Sequence, residues 1–116
     1  MYPWGDEFVP ELVVFADSSG ERTAPVGSRP EGASWVGALD IAGNVSEWTT
    51  SLHWGYPYER DDGREGDSAD DPHSSRAKRG GSWADADAYA LRTTYRYGDD
   101  PFSYDATIGF RCVRGF

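Results

Sequence analysis

Glycine and proline interrupt this sequence so often that they leave no window for a long helix. The chain has 14 Gly and 7 Pro in 116 residues, spread over its whole length. Glycine weakens a helix interior, and proline removes a backbone donor and clashes with the preceding turn. The sequence therefore predicts a single domain of short strands, tight turns and much ordered loop.

Burial in such a chain has to use aromatic side chains. Aromatic residues make up 15% of the sequence, with five Trp and seven Tyr, whereas Leu and Ile are few. Large rings bury more area per residue than aliphatic side chains do. We expect Trp4 to pack onto the core and the apolar run Leu12–Ala16 to form a buried strand or extended segment.

Further strands are expected in the last third of the chain. The best candidates are Arg79–Trp83, Tyr95–Tyr97 and Gly109–Val113, which combine aromatic, branched and glycine residues. Val45 and Trp48 are three residues apart and cannot share a face of a regular strand. The backbone is therefore expected to bend near them.

The net charge of the chain restricts the classes of molecule that it is expected to bind. The net charge is −9, from 20 acidic and 11 basic residues. Such a field repels phosphate backbones and anionic lipid, so nucleic-acid binding is not expected. No apolar run approaches the length that spans a bilayer, so membrane insertion is not expected either.

A polar stretch from Glu59 to Lys78 is predicted to be a surface excursion. Its acidic residues do not have the spacing of a calcium-binding loop, so a solvated loop is the better interpretation. These residues are Asp61, Asp62, Glu65, Asp67, Asp70 and Asp71.

The 24 residues between Trp83 and Ile108 have an unusual composition. They comprise five Ala, five Asp, four Tyr and three Thr, with two Arg and single Ser, Phe, Gly, Pro and Leu. Tyrosine offers a large amphipathic contact area at low entropic cost, and small or acidic residues adapt around it. The segment is typical of a contact surface, although an ordinary irregular surface loop would also have such a composition.

Three motifs follow one another along the chain in a fixed order. They are YPWGD at residues 2–6, GALDIAGNVSEWT at 37–49, and RGGSW at 79–83 with YR at 95–96 and IGFRCVR at 108–114. This ordered set resembles the formylglycine-generating enzyme family, also called the sulfatase-modifying factor domain. The resemblance implies an α+β fold of the C-type-lectin-like kind, with short twisted antiparallel sheets and much ordered loop.

The resemblance covers nearly the whole chain but only the C-terminal part of the family domain. It implies one domain over residues 1–116 whose N-terminal segment is missing. The chain is then a fragment, a minimal version, or one half of a split domain that a complementing N-terminal segment from another polypeptide completes.

A calcium site is the first functional feature that the resemblance implies. Family members that bind calcium beside this glycine–asparagine motif use two side chains and two backbone carbonyls, which here fall on Asp40, Gly43, Val45 and Glu47. Carboxylate and carbonyl oxygens are the ligands that Ca²⁺ prefers. The alternative is that Asp40 and Glu47 hydrogen-bond the bent backbone without an ion.

The catalytic cysteines of the family's oxidases are not present. Their copper-binding pair would fall at about Ala90 and Tyr95, and neither residue can supply a thiolate. Cys112 matches a cysteine that is structural in some members, and it is expected to be buried in an apolar strand. Formylglycine synthesis is therefore not the working hypothesis.

The leading hypothesis is a non-catalytic ligand-binding module. The same fold serves as the display scaffold of variable proteins that retroelements diversify by randomising adenines, which turns Asn codons into many others. Codons reached by changing the first two bases of an Asn codon never encode Met, Trp, Lys, Glu or Gln. These five residue types are absent from residues 84–107, whereas 14 of the other 92 residues belong to them. At the frequency of those other residues, about four of the 24 residues in the segment would be of these types.

The residues expected to face a ligand are the acidic and aromatic ones of this segment, with the alanine that begins it. They are Ala84, Asp85, Asp87, Tyr89, Tyr95, Tyr97, Asp99, Asp100, Phe102, Tyr104 and Asp105. The alternative function is that of a formylglycine-generating-type oxidase or another enzyme of the family. Its candidate groups would be Tyr95, Arg96 and Arg111 beside the aspartates, but no acid–base pair or nucleophile with its base stands out.

Overall fold

A small four-stranded sheet organises the molecule. The computed structural model describes residues 1–65 and 74–113. The strands are β1 (Ser46–Leu52), β2 (Arg76–Arg79), β3 (Tyr97–Asp99) and β4 (Ile108–Gly109). They lie in the order β3-β2-β1-β4, and only the β1–β4 pair is parallel. With four short helical turns around this sheet, the fold is the expected α+β, C-type-lectin-like one.

The registers of the sheet are irregular, as the glycine-rich sequence predicts. Trp48 pairs with Lys78 and Leu52 with Arg76, so β1 advances by four residues between these two pairs while β2 advances by two. This irregularity twists the strand and lets short segments curl around a small core. On the other edge, Glu47 pairs with Gly109 of β4.

The sequence analysis predicted segments near three of the four strands, at the wrong bounds, and did not predict the central strand β1. The predicted strand Arg79–Trp83 is wrong, because β2 ends at Arg79. The next residue, Gly80, has a φ of +93°, which turns the backbone out of the sheet. Similarly, β3 is Tyr97–Asp99 instead of Tyr95–Tyr97, and β4 is Ile108–Gly109 instead of Gly109–Val113.

The apolar run near the N-terminus is extended but does not join the sheet. Val13, Val14 and Phe15 are buried, and Val14 forms only an isolated bridge to Gly43. The short α-helix α1 then begins at the last residue of the predicted segment and covers Ala16–Ser19. The 3₁₀ turns Pro10–Leu12, Pro30–Gly32 and Ala88–Leu91 complete the helical elements of the described residues.

The core is aromatic, as predicted. Its buried residues are Tyr2, Val13, Phe15, Ala42 and Leu91, and Trp4 and Phe8 pack against them. The rings form a chain: Tyr2 stacks on Trp4 with centroids 5.5 Å apart, and Phe8 meets Phe15 edge-on at 5.3 Å. Such ring pairs add stabilisation beyond the area that they bury.

The polar stretch after β1 lies partly beyond the described residues. Asp67, Asp70 and Asp71 fall outside them. Asp62 is not simply solvated, because its carboxylate accepts hydrogen bonds from the buried Arg64 at 2.8 and 2.5 Å. Within the described ranges, no helix is long and apolar enough to cross a bilayer.

A sharp bend precedes β1 and joins four parts of the chain. Gly43 and Asn44 both have positive φ, at 72° and 63°. Gly43 N donates to the carbonyl of Gly80 at 2.8 Å, and Asn44 N donates to that of Val14 at 2.9 Å. The expected bend therefore lies immediately before Val45. Because Val45 precedes β1, its side chain does not have to follow the alternation of side chains along that strand.

Replacing Gly43 with alanine should strongly destabilise the fold. A Cβ there would lie 2.3 Å from the Val14 carbonyl oxygen, far inside contact distance. Gly20 is a matched control, because its φ is also positive, at 63°, and a Cβ there meets nothing within 4 Å. In urea unfolding, we expect Gly20→Ala to cost about 1 kcal/mol and Gly43→Ala at least about 2 kcal/mol more. Equal losses would contradict this packing.

Candidate functional site

The segment 84–107 is a closed excursion fixed at several points. The indole Nε1 of Trp83 donates to the carbonyl of Ala106 at 2.9 Å and thereby joins its two ends. Leu91 is fully buried in the core, and Ala16 N donates to the carbonyl of Asp85 at 3.1 Å. The backbone of the segment is therefore held by the frame while its other side chains turn outwards.

None of the eleven predicted contact residues is buried. Eight are exposed, and the other three, Asp85, Tyr95 and Asp99, are of intermediate burial. The large side chains that stand furthest into solvent are Phe102, with 63% of its surface exposed, and Tyr104, with 92%. The segment 84–107 therefore forms part of the protein surface, as its composition suggests, and does not form a second core.

The segment shares a cleft of about 220 Å³ with the sheet. Of the predicted residues, the structure brings Ala84, Asp85, Tyr95 and Tyr97 together in its wall. The other seven do not line it. Sequence reasoning missed five residues of the wall that precede the segment: Ser46, Lys78, Arg79, Gly81 and Ser82. Four of them adjoin or belong to the RGGSW motif, and this adjacency is the signal that could have identified them.

Three tyrosines form a ladder along the rim of this cleft. The centroids of Tyr89 and Tyr95 are 5.2 Å apart, and those of Tyr95 and Tyr97 are 5.7 Å apart, both in edge-on contact. Partial burial, followed by the negative charges that Tyr97 and Asp85 can carry, raises the pKa of Tyr95. The phenol of Tyr95 is therefore a neutral hydrogen-bonding group at physiological pH.

The aspartates have a different role from the one that the sequence suggested. Each carboxylate accepts a hydrogen bond from the nearby backbone or a nearby side chain. Asp85 accepts from Ser82 N at 2.7 Å, and Asp87 accepts from Tyr89 N at 2.9 Å and begins the 3₁₀ turn there. Asp100 and Asp105 accept from the backbone N–H two residues on, at 2.9 and 2.6 Å. The acids therefore hold the loops of the segment.

Asp99 forms an ion pair with Lys78. It accepts from Lys78 Nζ at 2.6 Å and from Ser103 Oγ at 2.7 Å. These two hydrogen bonds lower the pKa of Asp99. The ammonium group of Lys78 also lies over the ring of Trp48, 5.3 Å from its centroid. Lys78 thus links β1, β2 and β3 beside the cleft.

At the predicted calcium residues, the structure places a guanidinium group. Arg111 Nε and Nη2 donate to the two oxygens of Glu47 at 2.5 and 2.6 Å. The same guanidinium donates to the carbonyls of Leu39 and Asp40, both at 3.0 Å. This fork joins the end of the chain to the loop before β1 and to β1 itself.

The arrangement does not fit a calcium ion on Glu47 while Arg111 is in place. Both Glu47 oxygens are occupied, and the Asp40 carboxylate accepts from Gly27 N at 2.7 Å. Among the described residues, no three His, Cys, Asp or Glu side chains are grouped to hold a metal ion. Calcium at Asp40, Gly43, Val45 and Glu47 stays a prediction that requires Arg111 to release Glu47.

The cleft lies where the resemblance places the oxidase cysteines. Ala90 and Tyr95 both line it. The one cysteine of the chain, Cys112, is exposed, so its predicted burial in an apolar strand is wrong. The reason is that β4 ends at Gly109, and Cys112 lies beyond the sheet.

With this geometry established, comparisons with known proteins identify the family. The model of the sulfatase-modifying factor enzyme 1-like domain matches residues 1–116. The chain belongs to this family. It is 38% identical over 119 residues to a hercynine oxygenase of Mycobacterium tuberculosis, and 32% identical over 129 residues to an inactive Cα-formylglycine-generating enzyme 2 of Bos taurus. These alignments cover 95% and 99% of this chain.

A solved structure shares the fold as well. Treponema denticola variable protein 1 superposes with a TM-score of 0.67 and 29% identity over 86% of this chain. The chain spans only part of each relative: 26% of the hercynine oxygenase, 38% of the inactive enzyme and 34% of the variable protein. The complementing N-terminal segment stays a prediction.

The stability of the domain should depend on pH through Asp99. Its pKa is lowered by folding, so its stabilisation is present above the unfolded pKa, about 3.9, and is lost as pH falls through the folded value. We expect Asp99→Asn to cost about 1 kcal/mol at pH 7 and to flatten the fall in free energy of unfolding between about pH 5 and 2. The exposed Asp6→Asn is the control. Parallel pH profiles for wild type and Asp99→Asn would refute the role of this pair.

Replacing Arg111 should loosen the link between the chain end and β1, and it also tests the calcium prediction. We expect Arg111→Gln to lower the free energy of unfolding by about 1–3 kcal/mol, because a charge-assisted fork in a half-buried site is lost. Calcium chloride at millimolar concentration should then raise the Tm of Arg111→Gln more than that of the wild type, since the variant frees Glu47. Glu47→Gln should abolish the effect. Equal stabilisation of all three proteins would exclude calcium from these ligands.

Proposed function

We propose that the chain is a non-catalytic ligand-binding module whose contact surface is the segment 84–107. The observation that carries this proposal is that different side chains of the segment hold its backbone and face solvent. Its carboxylates and its one buried leucine are used for holding the backbone, whereas its rings stand in solvent. Exposed rings on a fixed backbone lose little conformational entropy when they bind.

The exposed aromatic area is large for so small a segment. Tyr89 and Tyr97 are 53% and 56% exposed, and Phe102 and Tyr104 more so. A group of exposed rings beside a cleft is typical of an interaction surface. The cleft of about 220 Å³ can receive one side chain or a small group of a ligand, while the rings outside it contact the remainder.

We further propose that the surface is diversified. Two observations support this finer statement: the fold is shared with a protein named as a variable protein, and residues 84–107 lack the five residue types that Asn-codon mutagenesis cannot produce. The fixed points of the segment also suit diversification. Trp83 and Leu91 hold the backbone, so side chains that face solvent can change at little cost to folding.

The alternative is an enzyme of the family, which the similarity to hercynine oxygenases favours. Against it, the two wall positions that the resemblance gives to the oxidase cysteines are Ala90 and Tyr95. Alanine has no reactive group, and the phenol of Tyr95 has a raised pKa, which disfavours an anionic nucleophile at neutral pH. The similarity to an inactive relative agrees with loss of catalysis.

A display library tests the proposal. The test library randomises Tyr89, Tyr97, Phe102 and Tyr104, and a matched control library randomises four exposed apolar residues elsewhere: Val26, Trp35, Val36 and Phe110. We expect both libraries to fold on the yeast surface, since all eight positions are exposed. Selection against hen lysozyme should enrich binders from the test library at least about tenfold more often. Equal enrichment, or misfolding of the test library, would contradict a dedicated contact surface.

A further inference from the structure

A second cleft, of about 180 Å³, lies between the central strands and the loop that follows β1. Its walls hold three arginines, Arg64, Arg79 and Arg96, and two tyrosines, Tyr56 and Tyr58. Only one of these residues belongs to the segment 84–107, and none of the five is among the predicted contact residues. The cleft shares Arg79 with the first cleft, and its other lining residues are different ones.

Arg64 is the unusual residue of this cleft. Its side chain is 3% exposed, and Nε and Nη2 are occupied by Asp62 and by the carbonyls of Gly55 and Pro57. Its Nη1 is buried and has no hydrogen-bond partner within residues 1–65 and 74–113. An unpaired buried donor of a charged group is costly, and native proteins rarely keep one without a function.

The other two guanidinium groups keep their charge. Arg96 Nη2 donates to the carbonyl of Trp54 at 2.9 Å, and its guanidinium carbon lies 4.2 Å from the ring centroid of Tyr56. Arg79 Nη1 donates to the carbonyl of Thr93 at 2.8 Å. Carbonyls and rings orient a guanidinium without neutralising it. Within the described residues, neither arginine forms an ion pair.

The acidic groups near the cleft do not cancel this charge. Asp62 is bound to Arg64. Glu65 accepts from Ser51 Oγ at 2.7 Å and from Tyr58 OH at 3.2 Å, so it is satisfied by hydroxyl groups. Among the residues that the structure describes, three guanidinium groups thus face two carboxylates, which is a local excess of positive charge in a chain whose net charge is −9. A local field of this sign attracts anions.

From these observations we propose that the second cleft binds a small oxyanion: a phosphate, sulfate or carboxylate group, free or at the end of a larger ligand. The fork of donors on a guanidinium matches the oxygens of such groups. The bound anion would accept from Nη1 of Arg64 and neutralise Arg79 and Arg96.

Titration with simple anions, followed by NMR of the ¹⁵N-labelled chain, tests the proposal. Sodium phosphate, sulfate and acetate are each added to about 20 mM against sodium chloride at matched ionic strength. We expect saturable shifts of the Nε–H signals of Arg64 and Arg96 and of the Trp54 indole. The order of the affinities shows whether the site prefers tetrahedral anions or carboxylates. Shifts that are linear in all three salts, or equal to those in chloride, would overturn the proposal.

A pair of arginine variants locates the binding. Arg96→Gln should weaken the affinity at least about tenfold, since it removes a charged donor from the cleft. Arg92→Gln is the matched control, because Arg92 also lies over a tyrosine ring, that of Tyr89, at 4.9 Å, and does not line the cleft. It should change the affinity less than about twofold. Equal affinities of Arg96→Gln and wild type would also overturn the proposal. We avoid Arg64 variants because the buried side chain supports its loop.

Discussion

Asn44 is the residue on which the rest of the structure depends. Its buried amide both accepts from and donates to the backbone of Ala24, at 2.9 and 3.3 Å. Its backbone N–H and carbonyl pair with Val14 and Trp83. One side chain in a left-handed conformation thus joins the N-terminal segment, the 20s loop and the start of the contact surface. Because the four described strands together hold only 16 residues, such hydrogen bonds take the place of long ladders.

Local sequence predicted the fold class and the aromatic core, but it did not predict contacts between distant residues. Glu47 and Arg111 are 64 residues apart, and nothing near either one indicates their fork. The oxygen-rich pattern at Asp40 and Glu47 is the same whether a calcium ion or a guanidinium group binds there. Strand bounds failed for a similar reason: the ends are set by glycine conformations and by pairing with distant strands.

The composition of the segment 84–107 suggested a surface in outline but could not separate its exposed residues from its buried ones. In the structure none of the eleven residues named from it is buried. Their roles were not predictable from composition, yet a local signal existed. Asp87 and Asp105 each accept a hydrogen bond from the backbone N–H two residues on, and aspartate commonly makes this hydrogen bond in turns. The arginine cleft gave no such signal, because its three guanidinium groups come from separate parts of the chain.

The central claim is that a fixed frame presents a variable ligand-binding surface. Sequencing the 3′ end of the gene across a population of its source tests this most directly. The account predicts variation confined to codons between Trp83 and Ile108, at adenine positions of a nearby template copy, with the codons for Leu91 and for the frame unchanged. An invariant stretch without a template copy would contradict it, and a fixed, catalytically silent relative would then be the better account.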